Sequence, residues 1–237
     1  MTKPFQFKEF SIDQDRCAMK IGTDGVLLGA WTSVQDEYSI LDIGAGTGIL
    51  ALMLAQRCNA EQIDALEIDE DAYEQCVDNF ENSSWADRLF CYHAALDEFT
   101  EEIDDEKYDL IISNPPFYTE DYKSDEIARN LARFAESLPF EELINCVSEL
   151  LSDEGSFAVI IPFSEEECFL KLSEKVNLFP NRITRVRGTE NTPLKRSLLQ
   201  LSFSEKPFSS NELILEISRH NYTKDYHEMV APFYLKL

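Results

Sequence analysis

Basic residues are scarce in this sequence: 21 lysines and arginines stand against 45 aspartates and glutamates, a formal charge of −24 over 237 residues. Such a field repels a phosphate backbone over most of a surface, which argues against general nucleic-acid binding and leaves only local contact open. Paired cysteines are missing as well. The six, at positions 17, 58, 76, 91, 146 and 168, show no C-x-x-C spacing; four lie within apolar or helical patterns and read as reduced core thiols. No apolar run approaches the roughly 18 residues that span a bilayer. Met1 to Phe10 mixes polar and aromatic residues without the apolar centre of a signal peptide. These absences lead to the expectation of a reducing cytoplasm. His93, His220 and His227 stand in no motif and read as surface or structural residues. With no internal repeat or low-complexity linker, and 44% hydrophobic residues, the chain reads as one domain, 32–237, with an N-terminal extension or lid, 1–31.

What is present is one concentrated motif. Ser39 to Ile43 is a short apolar run that reads as a buried parallel strand. Gly44, Gly46 and Gly48 follow at alternate positions, and Ile49, Leu50, Leu52, Met53 and Leu54 then open an apolar helical pattern. Glycine lets the backbone turn sharply and lets a ligand approach where a Cβ would block it. The helix start offers free N–H groups and a partial positive charge, suited to an anionic ligand end. The spacing is G-x-G-x-G, not the dinucleotide G-x-G-x-x-G. Asp42, two residues before the first glycine, would oppose a pyrophosphate and favour an ammonium. The methionine end of S-adenosylmethionine (SAM) carries both a carboxylate and an ammonium. Glu67 closes the next apolar run, 19 residues after Gly48, where an acid can accept both hydroxyls of a ribose. A plain strand-to-helix turn explains a glycine cluster on its own; Asp42, the glycines and Glu67 in register favour SAM.

Ahead of this motif, Phe5, Phe7 and the Phe10/Ile12 pair alternate with polar residues, as in a short hairpin or edge strands. Gly22 to Gly25 reads as a turn, with Thr23 or Asp24 capping a helix over 26–31. The segment is either a structural lid on the sheet or also a contact, through Thr23, to the cofactor's amino-acid end. From residue 38 onward, predicted strands at 39–43, 62–67, 89–93, 108–113 and 156–161 alternate with helices near 48–57, 70–80, 139–151 and 164–176. That alternation implies a parallel sheet with helices on both faces and ligands at the carboxyl ends of the strands. Strand-like runs at 197–203 and 213–218 bring the expected count to seven, these two being antiparallel. Asp97 to Asp109 holds eight acids against Lys107 alone and reads as a solvated loop. Residues 182–196 have the opposite character: Arg182, Arg185, Arg187, Lys195 and Arg196 against Glu190 leave a net +4.

The fourth strand ends in Ser113-Asn114-Pro115-Pro116-Phe117. Prolines end a central strand, yet at this place in a SAM-type sheet the residues also suit a reaction. An exocyclic amine on adenine, or a glutamine amide, is a poor nucleophile because its lone pair is delocalised. The Asn114 side-chain carbonyl and the Pro115 backbone carbonyl can hold its two N–H bonds, turning the lone pair toward a methyl group. Phe117 offers a face for a planar substrate, or for a cationic transition state. No general base is required.

D-x-G-x-G-x-G together with N-P-P-F resembles the class I amino-methyltransferases that act on adenine N6 or on protein glutamine. The N-terminal F-x-F-K-x-F-x-x-x-Q-D-R-C-A-M-K-x-G-T-D-G-V-L-L-G-A-W resembles, more narrowly, bacterial enzymes that methylate N6 of the adenine 3′ of the anticodon, position 37, in a valine tRNA. The closing Tyr222…Tyr226…Phe233-Tyr-Leu-Lys-Leu is similar to the same family's C-terminus, so the likeness spans the chain. It implies an α/β, Rossmann-like class I SAM-dependent methyltransferase with a seven-stranded, mostly parallel sheet. By the same resemblance Asp42, Gly44, Gly46, Gly48 and Glu67 would hold SAM, with Thr23, Ala45, Ile68, Ala95, Leu96 and Asn114 alongside. Asn114, Pro115, Pro116 and Phe117 would hold the adenine. Such enzymes often carry an acid after the third strand for the cofactor's adenine; here His93-Ala94-Ala95-Leu96-Asp97 leaves that task to Asp97 or to a backbone carbonyl.

The alternative activity is N5-methylation of a glutamine in a release factor. A SAM-binding protein without catalysis is disfavoured by the intact Asn114 to Phe117. Contact with tRNA is expected to be local, through Arg185, Lys195 and Arg196, or through Lys123, Arg129 and Arg133 with Tyr118 and Tyr122, whose rings can stack on splayed bases. The competing reading is that Arg182, Arg185 and Arg187 neutralise acids on neighbouring strands. Neither a membrane nor a metal is expected.

Overall fold

The computed structural model describes residues 3–103, 106–116, 138–205 and 207–236. Phe5–Gln6 (β1) and Ser11–Ile12 (β2) form the expected antiparallel hairpin, which packs on the chain's far end. Phe7 stacks on Phe10 with ring centroids 4.7 Å apart and forms a bridge with Tyr234. Thr23–Trp31 (α1) follows, and then Ser39–Ile43 (β3), buried at every position. A strand covered on both faces has no solvent side, so a continuous apolar run suits it.

Ile49–Arg57 (α2), Gln62–Glu67 (β4), Glu70–Glu81 (α3), Leu89–His93 (β5), Leu96–Glu102 (α4) and Tyr108–Ser113 (β6) come next. After them stand Phe140–Leu150 (α5), Leu151–Pro162 (β7), Glu166–Lys175 (α6), Phe179–Arg187 (β8), Leu194–Ser202 (β9) and Ser209–Ile214 (β10). Eight strands make one sheet in the order β10-β8-β9-β7-β6-β3-β4-β5. The block from β7 to β5 is parallel throughout. β9 runs antiparallel to both β7 and β8, and β10 lies parallel to β8 at the edge. Glu216–Ser218 (β11) and Asn221–Tyr222 (β12) form a small separate pair, and Lys224–Val230 (α7) ends the regular structure. No helix among the described residues is long and apolar enough to cross a membrane.

Alternation along the central strands divides the core between two faces. Ile40, Ile63, Ala65 and Ile160 join α1, α2, α3 and α7 on one side. Leu41, Ile43, Leu66 and Ile161 join α4, α5 and α6 on the other. Strand order reverses between β3 and β6, and their carboxyl ends open the crevice where ligands of such sheets bind.

The structure corrects four expectations. Among the described residues the sheet has eight strands, not seven, because β8 runs into the basic stretch: Ile183 and Val186 stand among Arg182, Thr184, Arg185 and Arg187 without a two-residue apolar period, and partners on both edges compensate for that weak signal. The run expected over 213–218 divides, its first part joining β10 parallel to β8 and not antiparallel. The acidic stretch from Asp97 opens in α4, because Leu96 and Phe99 bury one side of that turn. Neither Thr23 nor Asp24 caps α1; the cap residue is Gly22, with no side-chain bond, and Thr23 already belongs to the helix.

Candidate functional site

Ile43 lies opposite Ser113 in the β3–β6 register, so the next residues, Gly44 and Asn114, leave the sheet together. The Ser113 hydroxyl donates to the Ile43 carbonyl at 2.8 Å and ties the two strand ends. Gly44, Gly46 and Gly48 take φ of 73°, 55° and 76°, a left-handed backbone that resists side chains. A Cβ at Gly44 or Gly46 would meet nothing within 4 Å among the described residues, so the loop presents an open cradle. At Gly48 a Cβ would lie 2.5 Å from Phe80 Cε1, so this glycine is what lets α2 close on α3.

Two acids stand behind the loop. Asp42 is fully buried: its Oδ2 accepts the Ala51 N–H at 3.2 Å in the first turn of α2, while Oδ1 has no hydrogen-bond partner among the described residues. Burial pushes its carboxyl up to about 7, with the charge of Glu67 adding to the shift and the Ala51 N–H opposing it. Glu67 ends β4, and its two oxygens accept backbone N–H groups, from Gly46 at 2.7 Å and from Asp69 at 3.0 Å. A carboxylate has about four acceptor sites, so Glu67 retains capacity for hydroxyls. Ile68, the next residue, is 57% exposed, and His93 Nε2 lies 3.0 Å from its carbonyl. Ala95 precedes α4 and Leu96 opens it, buried; the Asp97 carboxylate accepts the Glu98 N–H at 2.9 Å. An orphaned buried oxygen, an open glycine cradle and a second acid fit a ligand that carries an ammonium and hydroxyls.

A cavity of about 420 Å³ joins the motifs. Met19 to Gly25 line one side, Gly44 to Thr47 another and Asn114 to Pro116 a third, so the structure brings Thr23, the glycine loop and Asn114 together. The segment before α1 is pinned from α3. Asn79, 3% exposed, accepts the Asp13 N–H and donates to the carbonyls of Asp13 and Thr47, each at 2.9 Å. Gln75 accepts the Arg16 N–H at 3.2 Å. Sequence reasoning missed both amides, although they lie at i and i+4 beside Cys76 and Phe80 on the buried stripe of α3. At the other end Arg196 Nε donates to Asp24 Oδ2 at 2.8 Å.

The basic stretch is largely committed to the fold. Arg185 donates to Glu166 through Nε and Nη2, at 2.6–3.0 Å. Arg187 pairs with Glu212 at 2.6 Å. Arg182 sits 4.3 Å over the Trp31 ring and donates to the Trp31 carbonyl at 3.0 Å. Arg185 and Arg187 therefore neutralise acids on neighbouring elements, whereas Arg182 answers an aromatic ring. Lys195 is exposed at the start of β9. Phe117, Tyr118, Tyr122, Lys123, Arg129 and Arg133 lie outside the described residues.

Residues 20–161 match the sequence model of the Methyltransferase small domain. The chain is 64% identical over 237 residues to a tRNA1(Val) (adenine(37)-N6)-methyltransferase of Christiangramia forsetii, covering 99% of each chain. It is 43% identical over 238 residues to a protein of the same name in Bacteroides fragilis, covering 100% of both. Among solved structures, a predicted O-methyltransferase from Agrobacterium tumefaciens superposes with a TM-score of 0.71 at 19% identity, over 89% of this chain and 96% of that one; it shares the fold. The chain belongs to the family of tRNA1(Val) (adenine(37)-N6)-methyltransferases, built on the methyltransferase small domain.

Proposed function

We propose that this protein methylates the exocyclic N6 of the adenine at position 37 of a valine tRNA, in the cytoplasm, with SAM as methyl donor. The observation that carries the reading is the meeting of the glycine loop and Asn114-Pro115-Pro116 at one cavity, in a chain 64% identical to a relative bearing that name. When bound, SAM supplies an electrophilic methyl group. Asp42 Oδ1 is the acceptor for the donor's ammonium, the open faces of Gly44 and Gly46 admit its backbone, and Glu67 takes the ribose hydroxyls while its bond to Gly46 keeps the loop in shape. Ile68, Ala95 and Leu96 flank the adenine end.

Asn114 and Pro115 act on the other reactant. Their carbonyls hold the two N–H bonds of the target amine, so its lone pair points along the line of transfer. This is positioning, worth more here than proton transfer. The amine loses its proton to water after the methyl has moved, which is why the site needs no buried base. The target base must leave its stack to reach Asn114.

Purified protein with labelled SAM is offered a valine tRNA transcript, the same transcript carrying guanine at position 37, and a release factor. Label in the first alone supports the reading. Label in the release factor, or in both transcripts equally, overturns it.

A further inference from the structure

The wall of the cavity formed by Met19 to Gly25 has no assigned task beyond Thr23, and it carries a distinctive pair. Met19 is 61% exposed, among the most exposed large apolar side chains described, and Lys20 beside it is exposed too. Lys20 is the one cation among the described residues lining the cavity. Nearby guanidinium groups are engaged: Arg16 with Glu74 and Asp78, Arg196 with Asp24. No carboxylate among the described residues pairs with Lys20. The backbone that presents the pair is held on both sides, by Asn79 and Gln75 before it and by the Ile21 N–H donated to Gln14 Oε1 at 2.9 Å.

A flipped nucleotide brings its phosphate to the rim of the pocket that takes its base. In a chain of charge −24, a phosphate reaching this rim needs a cation there, and a lysine supplies a mobile point charge on a long stem. An exposed thioether at the same rim offers a soft, polarisable surface to an aromatic base.

We propose that Lys20 and Met19 form the grip for the target nucleotide, the Lys20 ammonium holding the phosphate that flanks the adenine and Met19 packing on the base. The inference rests on the tRNA-adenine reading above and names residues that hold the target nucleotide within it.

The test uses the full chain and a valine tRNA transcript, with tRNA affinity measured across salt, KM and kcat for methylation, and SAM affinity by calorimetry. Lys20→Ala is expected to raise KM for tRNA about tenfold, one charge-assisted contact, with SAM affinity unchanged. It should flatten the salt slope by about 0.7–0.9, the loss of one phosphate contact, and Lys20→Arg should restore that slope. Met19→Ala is expected to raise KM without altering the slope, and Met19→Leu to recover most of the loss. Unchanged KM and slope in Lys20→Ala overturn the grip, as does a fall in SAM affinity, which would put the ammonium on the donor's carboxylate. If the parent methylates no tRNA, the activity reading itself fails; if the parent is active and the variants match it, only the grip fails.

Discussion

Glu67 Oε2 accepts the backbone N–H of Gly46 at 2.7 Å, so the acid that ends β4 shapes the loop that ends β3. Its other oxygen holds the Asp69 N–H at the turn into α3. One side chain thus braces two turns before any ligand arrives. Glu67→Ala is expected to lose both bonds and to destabilise the ligand-free protein by about 2 kcal/mol. That loss corresponds to a melting temperature lower by about 4–8 °C in a chain of this size. SAM affinity should fall in the same variant, measured by calorimetry. Glu67→Gln keeps one acceptor and should fall between the two. A melting temperature equal to the parent's would show that the bonds to Gly46 and Asp69 contribute nothing.

Asn114 stands where β6 ends beside Gly44, and its proposed work is confined to the amine. Asn114→Ala should lower kcat by about a hundredfold or more, the scale of a lost positioning contact. SAM affinity should stay near the parent's. If kcat holds within a few-fold, the carbonyl-positioning account is wrong.

The pH dependence of donor binding follows from Asp42. Burial raises its carboxyl to about 7, above the usual 3.8, so the empty folded state binds a proton that the unfolded chain releases between these values. The corresponding stability is fully present below about pH 4 and is lost as pH rises through 7. An ammonium at Oδ1 favours the ionised form, so SAM binding should tighten from pH 6 to pH 8 as Asp42 gives up its proton. Calorimetry in buffers of different ionisation heat should register that release. Asp42→Asn should abolish the trend; a flat profile in the parent would remove the link between Asp42 and the ammonium.

Arg185 and Lys195 should separate structural from solvent-facing basic residues. Glu166 is buried and takes its charge partner from Arg185. Arg185→Ala leaves that carboxylate with the Ser197 hydroxyl and, among the described residues, no cation. It should lower stability by about 1–3 kcal/mol in urea denaturation. Lys195→Ala, at an exposed position, should stay within about 0.5 kcal/mol of the parent. Of the two, only Lys195→Ala should flatten the salt dependence of tRNA binding. A steeper loss of stability at Lys195 than at Arg185 would reverse the assignment.

Local chemistry was legible without coordinates. Ser39 to Ile43, the alternate glycines after it and the acids at 42 and 67 are short-range patterns, because strand burial, turn conformation and helix start are set by neighbours in the chain. The Phe5–Ile12 hairpin and the five parallel strands were readable for the same reason. Other features come from residues far apart in sequence. β8 carries four polar side chains in the run Asn181–Arg185 and becomes a strand only because β9 and β10 supply hydrogen bonds along both edges. Asn79 reads as one more polar residue on α3 until Asp13 and Thr47 are folded against it. The arginines of 182–196 form a basic patch on paper, but Trp31, Glu166, Glu212 and Asp24 arrive from other elements to meet them. Sequence by itself determined the glycine loop and the five parallel strands, since each depends on spacing within a few turns of chain. Only the tertiary structure decided which charges are already partnered and which face the cavity, because a side chain's partner depends on how distant elements pack.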